Sequence, residues 1–258
     1  MDRLGLALRG KPLDGSLSAA TLEFYEVSYS IGGNVVLDNL NLRIKPGRTL
    51  VLLGRSGSGK TTALKMLNGL LFPTSGSVWV EHRATTDWDL IELRRSIGYV
   101  IQDVGLFPHF TIGENIGLVP RLKGWAPARI TARVAELLDQ VGLEPAQFLN
   151  RYPRQLSGGQ RQRVGVARAL AAEPKLLLFD EPFGALDPVT RVELQDQFLE
   201  LRDRVRKTSI FVTHDVREAL RLGTEIALLH RGRLEVLTTP AEFGKSSGPE
   251  ARAFLSTL

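Results

Sequence analysis

With 258 residues, the chain allows one large or two small domains. Hydrophobic residues make up 43% and charged ones 24%, the balance of a soluble globular protein, and no apolar run approaches the roughly 18 residues of a membrane span. The net charge is +5 and cysteine is absent, which excludes a disulfide framework and thiol catalysis and fits a cytosolic setting. Residues 1–20 show no basic stretch followed by an apolar one, so they carry no secretory signal pattern and are expected to form a loose arm.

Residues 21–44 alternate apolar and polar positions. Leu22 and Phe24, then Leu40, Leu42 and Ile44, recur at every second place, which predicts strands. Gly32-Gly33 and Pro46-Gly47 mark turns, so a small antiparallel sheet is expected first. The apolar run 49–53 predicts a buried strand. It feeds directly into Gly54-Arg55-Ser56-Gly57-Ser58-Gly59-Lys60-Thr61-Thr62, which matches the phosphate-loop pattern G-x-x-x-x-G-K-[ST]. Residues 63–67 then read as a helix that stops before Pro73-Thr74-Ser75-Gly76, and residues 77–80 as a further strand.

The residue types of the loop suit a phosphate chain. Glycines let backbone wrap an anion without Cβ clashes, and the N–H groups of the loop and of the helix start point at it. Lys60 supplies a point charge for the β- and γ-phosphates, and the Thr61 hydroxyl is a ligand for Mg²⁺.

Residues 97–101 form a β-rich run that ends at Gln102, and Thr111-Ile112-Gly113-Glu114 has the form of a capping box that opens a helix. From 127 to 172 the pattern is helical, with Ile130, Val134, Leu137, Leu138 and Val141 on one face. Between Arg121 and Leu170 nine basic residues stand against three acidic ones, so this stretch holds the whole positive excess. It reads either as a solvated helical face or as a surface toward anions or an anionic membrane.

Residues 175–181 are an apolar strand ending in Asp180-Glu181. A helix is expected over 191–207, a strand over 209–213 ending at His214, and a hairpin around Arg231-Gly232. Strands alternating with helices predict an α/β core with a mainly parallel sheet.

Ligands of such sheets lie at the carboxyl ends of the strands. Four strands here end in groups suited to nucleotide hydrolysis: the phosphate loop; Gln102, for a water or a metal; Asp180 for Mg²⁺, with Glu181 beside it to polarise an attacking water; and His214. Each ending alone is unremarkable chemistry at a strand end, but four in one chain are not. Leu156-Ser157-Gly158-Gly159-Gln160 adds a Ser–Gly–Gly helix start, a second anion cradle in a chain that already has one. A second cradle suggests donation to another copy of the chain.

These residues, in this order, resemble the Walker A, Q-loop, signature, Walker B, D-loop (Ala185-Leu186-Asp187) and H-loop of ABC transporter ATP-binding subunits. The resemblance implies a P-loop NTPase core with an N-terminal antiparallel β subdomain and an inserted α-helical subdomain at about 103–170. It implies an ATPase domain over 21–240, leaving 241–258 as a tail. It implies ATP and Mg²⁺ as ligands, with Glu181 as catalytic base, His214 as γ-phosphate sensor and Gln102 as the link to a permease. It places Ser157 to Gln160 and Asp187 at ATP across a head-to-tail dimer. Transmembrane permease subunits and an extracytoplasmic solute-binding protein are the implied partners, at the cytoplasmic face of a membrane, with no nucleic acid. Residues 92–102, 105–112 and 114–116, with Leu118-Val119-Pro120 and Trp125, look like the glycine betaine/choline/carnitine osmoprotectant importers.

Family members usually carry an adenine-stacking aromatic just before Gly32. Here Ile31 holds that place and Tyr29 lies two residues earlier, so either covers the base. The C-terminal regulatory domain that osmoprotectant subunits often carry is not expected. The alternatives are an importer ATPase for another small solute, or a soluble ABC-type ATPase acting on nucleic acid; the latter usually has two cassettes or long coiled-coil inserts.

Overall fold

The computed structural model describes residues 21–258 apart from Asp103 and Ala185. The expected N-terminal arm and Ala185 of the D-loop therefore lie outside the described residues. The chain opens with β1 (Leu22–Ile31), β2 (Asn34–Ile44), β3 (Thr49–Leu53), α1 (Lys60–Leu67), β4 (Ser75–Val80), β5 (Arg83–Ala84) and α2 (Leu90–Ser96). Next come β6 (Ile97–Val100), α3 (Ile112–Leu122), α4 (Pro127–Gln140), α5 (Pro145–Phe148), a 3-10 turn (Pro153–Gln155), α6 (Gly158–Leu170), β7 (Leu176–Asp180), α7 (Pro188–Val205) and β8 (Thr208–Thr213). The last elements are α8 (Val216–Leu222), β9 (Glu225–His230), β10 (Arg233–Thr238), α9 (Pro240–Phe243) and α10 (Pro249–Leu255). The described residues divide into two compact units, one of 21–93 with 212–258, the other of 94–211.

In the first unit, β2, β1, β4 and β5 form the expected antiparallel sheet in that order. Its alternation is broken in two places. Leu22, Phe24 and Val27 are the buried positions of β1, and Leu37, Leu40, Leu42 and Ile44 those of β2. The three-residue steps from 24 to 27 and from 37 to 40 are bulges, at Glu26 (φ +49) and Asn39 (φ +51). Side chains fix both: Asn41 Oδ1 accepts from the Glu26 N–H and Ser28 Oγ from the Asn39 N–H, each at 3.0 Å. In the same unit β9 pairs β3 in parallel and β10 antiparallel. The β9–β10 turn has Arg231 and Gly232 both at positive φ, the hairpin geometry that matches strand twist. β3 is buried along its whole length, as a strand covered on both faces must be.

In the second unit β6 and β7 are parallel neighbours, with Ile97 opposite Leu176 and Val100 opposite Phe179. All five residues of β7 are buried. Phe179 stacks on Phe211 with centroids 4.2 Å apart and meets Phe198 edge-on at 5.2 Å, and this ring cluster anchors β7 to α7. The helical stretch from 127 to 172 is not continuous. Pro145 and Pro153 each stand at the first position of a new turn, because proline cannot extend the helix before it. On α4, Val134, Leu137 and Leu138 are buried as expected, while Ile130 is half-buried. The helix expected from 191 starts instead at Pro188, and β4 starts at Ser75 rather than 77.

Candidate functional site

The phosphate loop joins β3 to α1 in the first unit. It is shaped by close approach: a Cβ on Gly54 would stand 2.4 Å from the Leu229 carbonyl oxygen. Gly59, at φ +99, is the N-cap of α1, and a Cβ there would stand 2.6 Å from Leu37 Cδ2. A side chain at either place would push the loop off its neighbours. No side chain caps α1, so its first N–H groups face the loop, where the helix dipole favours an anion. Lys60 is 5% exposed, and its ammonium donates to the carbonyls of Gly54 (2.7 Å) and Arg55 (2.8 Å). The buried Ser58 Oγ has no hydrogen-bond partner among the described residues. A buried cation, an orphaned hydroxyl and an uncapped helix start all suit a phosphate chain. Thr61 and Thr62, the first residues of α1 after Lys60, are half-buried, while Arg55, Ser56 and Gly57 are exposed.

In the second unit the parallel register brings the carboxyl ends of β6 and β7 side by side. Gln102 lies just past β6 and is exposed; Asp180 ends β7 and is 8% exposed. Tyr99, on β6, donates its hydroxyl to Asp180 Oδ2 at 3.3 Å. Burial, reinforced by the Asp180 charge and this bond, raises the phenol well above its usual range, so Tyr99 stays a donor and helps hold the carboxylate. The sequence reading did not single out Tyr99, although its place opposite Leu178 in the β6–β7 ladder follows from the parallel pairing. Glu181 is half-buried at φ +46, a left-handed conformation that costs a non-glycine residue roughly 1–3 kcal/mol. Its carbonyl accepts from the Gly184 N–H at 3.2 Å. Within this unit the Gln102 amide and the Asp180 carboxylate offer hard oxygen donors, the chemistry Mg²⁺ takes; in the first unit the Thr61 hydroxyl is a donor of the same kind.

His214 follows β8 directly and is exposed. Its neighbours are fixed: Thr213 donates to the buried Glu218 at 2.6 Å, and Asp215 caps α8 by accepting from Arg217 N–H at 2.8 Å. Ser157 is the N-cap of α6 in a full capping box with Gln160. Ser157 and Gly158 are exposed, Gly159 is buried and Gln160 half-buried. Asp187, in the same unit, caps α7 by accepting from Thr190 N–H at 3.0 Å. That bond, with the others at the helix start, holds its carboxyl below the ordinary value. Ile31 is 62% exposed at the end of β1, and Tyr29 is half-buried opposite Leu37.

Several of the nine basic residues are structural. Arg161 donates to the Leu156 carbonyl and Arg168 to those of Val104 and Gly105. Arg129 pairs with Glu173 at 3.1 Å and lies over the Trp125 ring, and Arg133 pairs with Glu136.

The ABC transporter family matches this chain over residues 37–184. The osmoprotectant import ATP-binding protein OsmV of Salmonella typhimurium is 52% identical over 206 residues, which is 80% of this chain and 54% of that protein. The choline transport ATP-binding protein OpuBA of Bacillus subtilis is 47% identical over 89% of this chain and 60% of its own length. The chain thus spans little more than half the length of these two relatives. Among solved structures, the ATP-binding cassette MJ0796, a dimer in a post-hydrolysis state bound to ADP and Pi, is 36% identical with a TM-score of 0.75. It covers 85% of this chain and 98% of its own.

Proposed function

We propose that this chain, which belongs to the ABC transporter family, binds and hydrolyses ATP to power import of a small quaternary-amine osmoprotectant such as glycine betaine or choline. The observation that carries the hydrolytic reading is the strand–loop–helix around Lys60, with its buried ammonium, orphaned Ser58 hydroxyl and uncapped helix start. The similarity to ATP-binding proteins of osmoprotectant import and choline transport supports the solute class. The chain works as a head-to-tail pair on the cytoplasmic face of a membrane, bound to permease subunits and served by a solute-binding protein. Among the described residues no helix is long and apolar enough to cross a membrane, in keeping with a peripheral subunit.

The residues divide the chemistry. Lys60 and the loop N–H groups hold the β- and γ-phosphates and offset their charge. Thr61, Asp180 and Gln102 hold Mg²⁺, which when bound neutralises charge building on the phosphate oxygens. Glu181 accepts the proton of the attacking water, and His214 hydrogen-bonds the γ-phosphate. Ser157 to Gln160 and Asp187 complete the partner's site. Ile31 or Tyr29 covers adenine.

ATP turnover by the purified chain, measured beside Glu181→Gln, tests this reading. The variant should keep its nucleotide affinity and lose about 10²–10⁴ in rate, the usual effect of losing a general base. Hydrolysis at the wild-type rate would remove Glu181 as the base. In vesicles with its permease, turnover should rise with glycine betaine or choline and not with sulfate.

A further inference from the structure

In the first unit His214 stands between two residues that are bonded through a single hydroxyl. Thr213 Oγ1 accepts from the Asp215 N–H at 3.0 Å and donates to Glu218 Oε2 at 2.6 Å. A hydroxyl has one proton to give. The Asp215 amide brings its own, so the proton of Thr213 goes to Glu218. Asp215 is the N-cap of α8 and Glu218 its third residue, so the helix start closes a hydrogen-bonded ring. In an ordinary capping box a glutamate at that position reaches back to the N-cap N–H itself. Here the Thr213 hydroxyl is inserted between the two. The ring encloses the backbone of 213–215, and exposed His214 is its middle residue.

Glu218 is 5% exposed and Thr213 3%. The other buried residues of α8, Val216, Ala219 and Leu222, are apolar. An apolar side chain at 218 would avoid the cost of burying a carboxyl group; what the acid adds is an acceptor for Thr213. Fixing 213 and 215 fixes the backbone on either side of His214, and with it the direction of the Cα–Cβ bond that carries the imidazole. That direction matters, because a group misplaced by about 1 Å loses on the order of 10²-fold in rate. We propose that Glu218 is a positioning residue: acting through Thr213 and the Asp215 amide, it holds His214 where the imidazole meets the γ-phosphate. The proposal rests on the role proposed for His214 and adds a buried residue to that site.

Thr213→Val keeps the shape and removes the hydroxyl, Thr213→Ser keeps the hydroxyl, and Glu218→Leu removes the acceptor. The melting temperature of each variant is measured, and Thr213→Val decides the matter if Glu218→Leu does not fold. Thr213→Val and Glu218→Leu should each lower kcat about tenfold or more, while ATP affinity, read with a fluorescent analogue, stays within about twofold. Thr213→Ser should keep most of the rate. An unchanged kcat in Thr213→Val, or an equal loss in Thr213→Ser, overturns the proposal. A second readout needs no turnover. The chain has four histidines, and the NMR signal of His214 is the one lost in His214→Ala. A non-hydrolysable ATP analogue should shift that signal in wild type and Thr213→Ser, and not in Thr213→Val. Equal shifts in all three, or none in wild type, overturn the proposal. The expected pattern of shifts in a chain without ATPase activity counts against the proposed hydrolysis and leaves the positioning role standing.

Discussion

At Glu181 the backbone and the side chain pull in different directions. Glu181 keeps a left-handed backbone that glycine would hold without strain, so the carboxylate is retained against a conformational cost. Ile31 keeps an aliphatic side chain 62% exposed where an aromatic would be expected to meet adenine. A base stacked on a ring gains roughly 1–3 kcal/mol over alanine, and isoleucine offers apolar contact alone. Ile31→Tyr should therefore tighten ATP about tenfold, close to 1.4 kcal/mol. Tyr29→Ala should change affinity little, since that ring is half-buried in the β1–β2 ladder. Titration with a fluorescent ATP analogue decides between them. A large loss on Tyr29→Ala in a still-folded protein, with no gain from Ile31→Tyr, would assign the base to Tyr29.

Among the elements, α7 shows how a structural and a functional role share one residue. Asp187 is its N-cap and Pro188 its first residue, so Asp187→Ala should lower the melting temperature by about 2–4 °C, while Asp187→Asn, still a good cap, should not. The carboxyl lies below its ordinary value of 3.8. A lowered carboxylate contributes stability above the unfolded value and loses it as pH falls through the folded one. The difference in melting temperature between wild type and Asp187→Ala should accordingly shrink once pH drops below about 3.8. If Asp187→Asn slows ATP turnover without a change in melting, the aspartate serves the site as well as the helix. The start of α7 was legible in the Asp-Pro pair and was missed, as were the breaks at Pro145 and Pro153. The phosphate loop, β7, the capping box at Thr111 and the helix start at Ser157 were legible because their signals are local. The bulges at Glu26 and Asn39 were not, since neither position carries the glycine that usually marks positive φ.

For the whole molecule, the question is what each chain needs from a partner and what it supplies to itself. Ser157 already caps its own helix, and its exposed Gly-rich start remains open to a second chain. Ser157→Arg should abolish turnover while ATP still binds at Lys60, and mixing it with Lys60→Ala should restore part of the activity. A mixed dimer then has one site with both lesions and one with neither; no recovery under proven mixing would count against the trans arrangement. What the chain supplies to itself includes a brace from its last helix to the phosphate loop. Arg55 Nε donates to Glu250 Oε1 at 2.5 Å. Glu250 is 7% exposed, a carboxylate that needs its partners to be held there. Its backbone N–H and that of Ala251 donate to Glu235 Oε1 at 3.1 and 3.3 Å, so a side chain of β10 fixes the start of α10. His230 Nδ1 stands 3.4 Å from the other Glu250 oxygen. Arg55 is itself 66% exposed, so solvent screens much of the pair's attraction. Arg55→Ala should then cost only about 2–4 °C in melting temperature, and deletion of 249–258 should cost more, because it also uncovers apolar surface around Ala251. The two changes share one contact and should not add. In a chain lacking 249–258, Arg55→Ala should produce no further loss. Fully additive losses would mean that Arg55 stabilises the loop by some other route and that the brace is not what Glu250 provides.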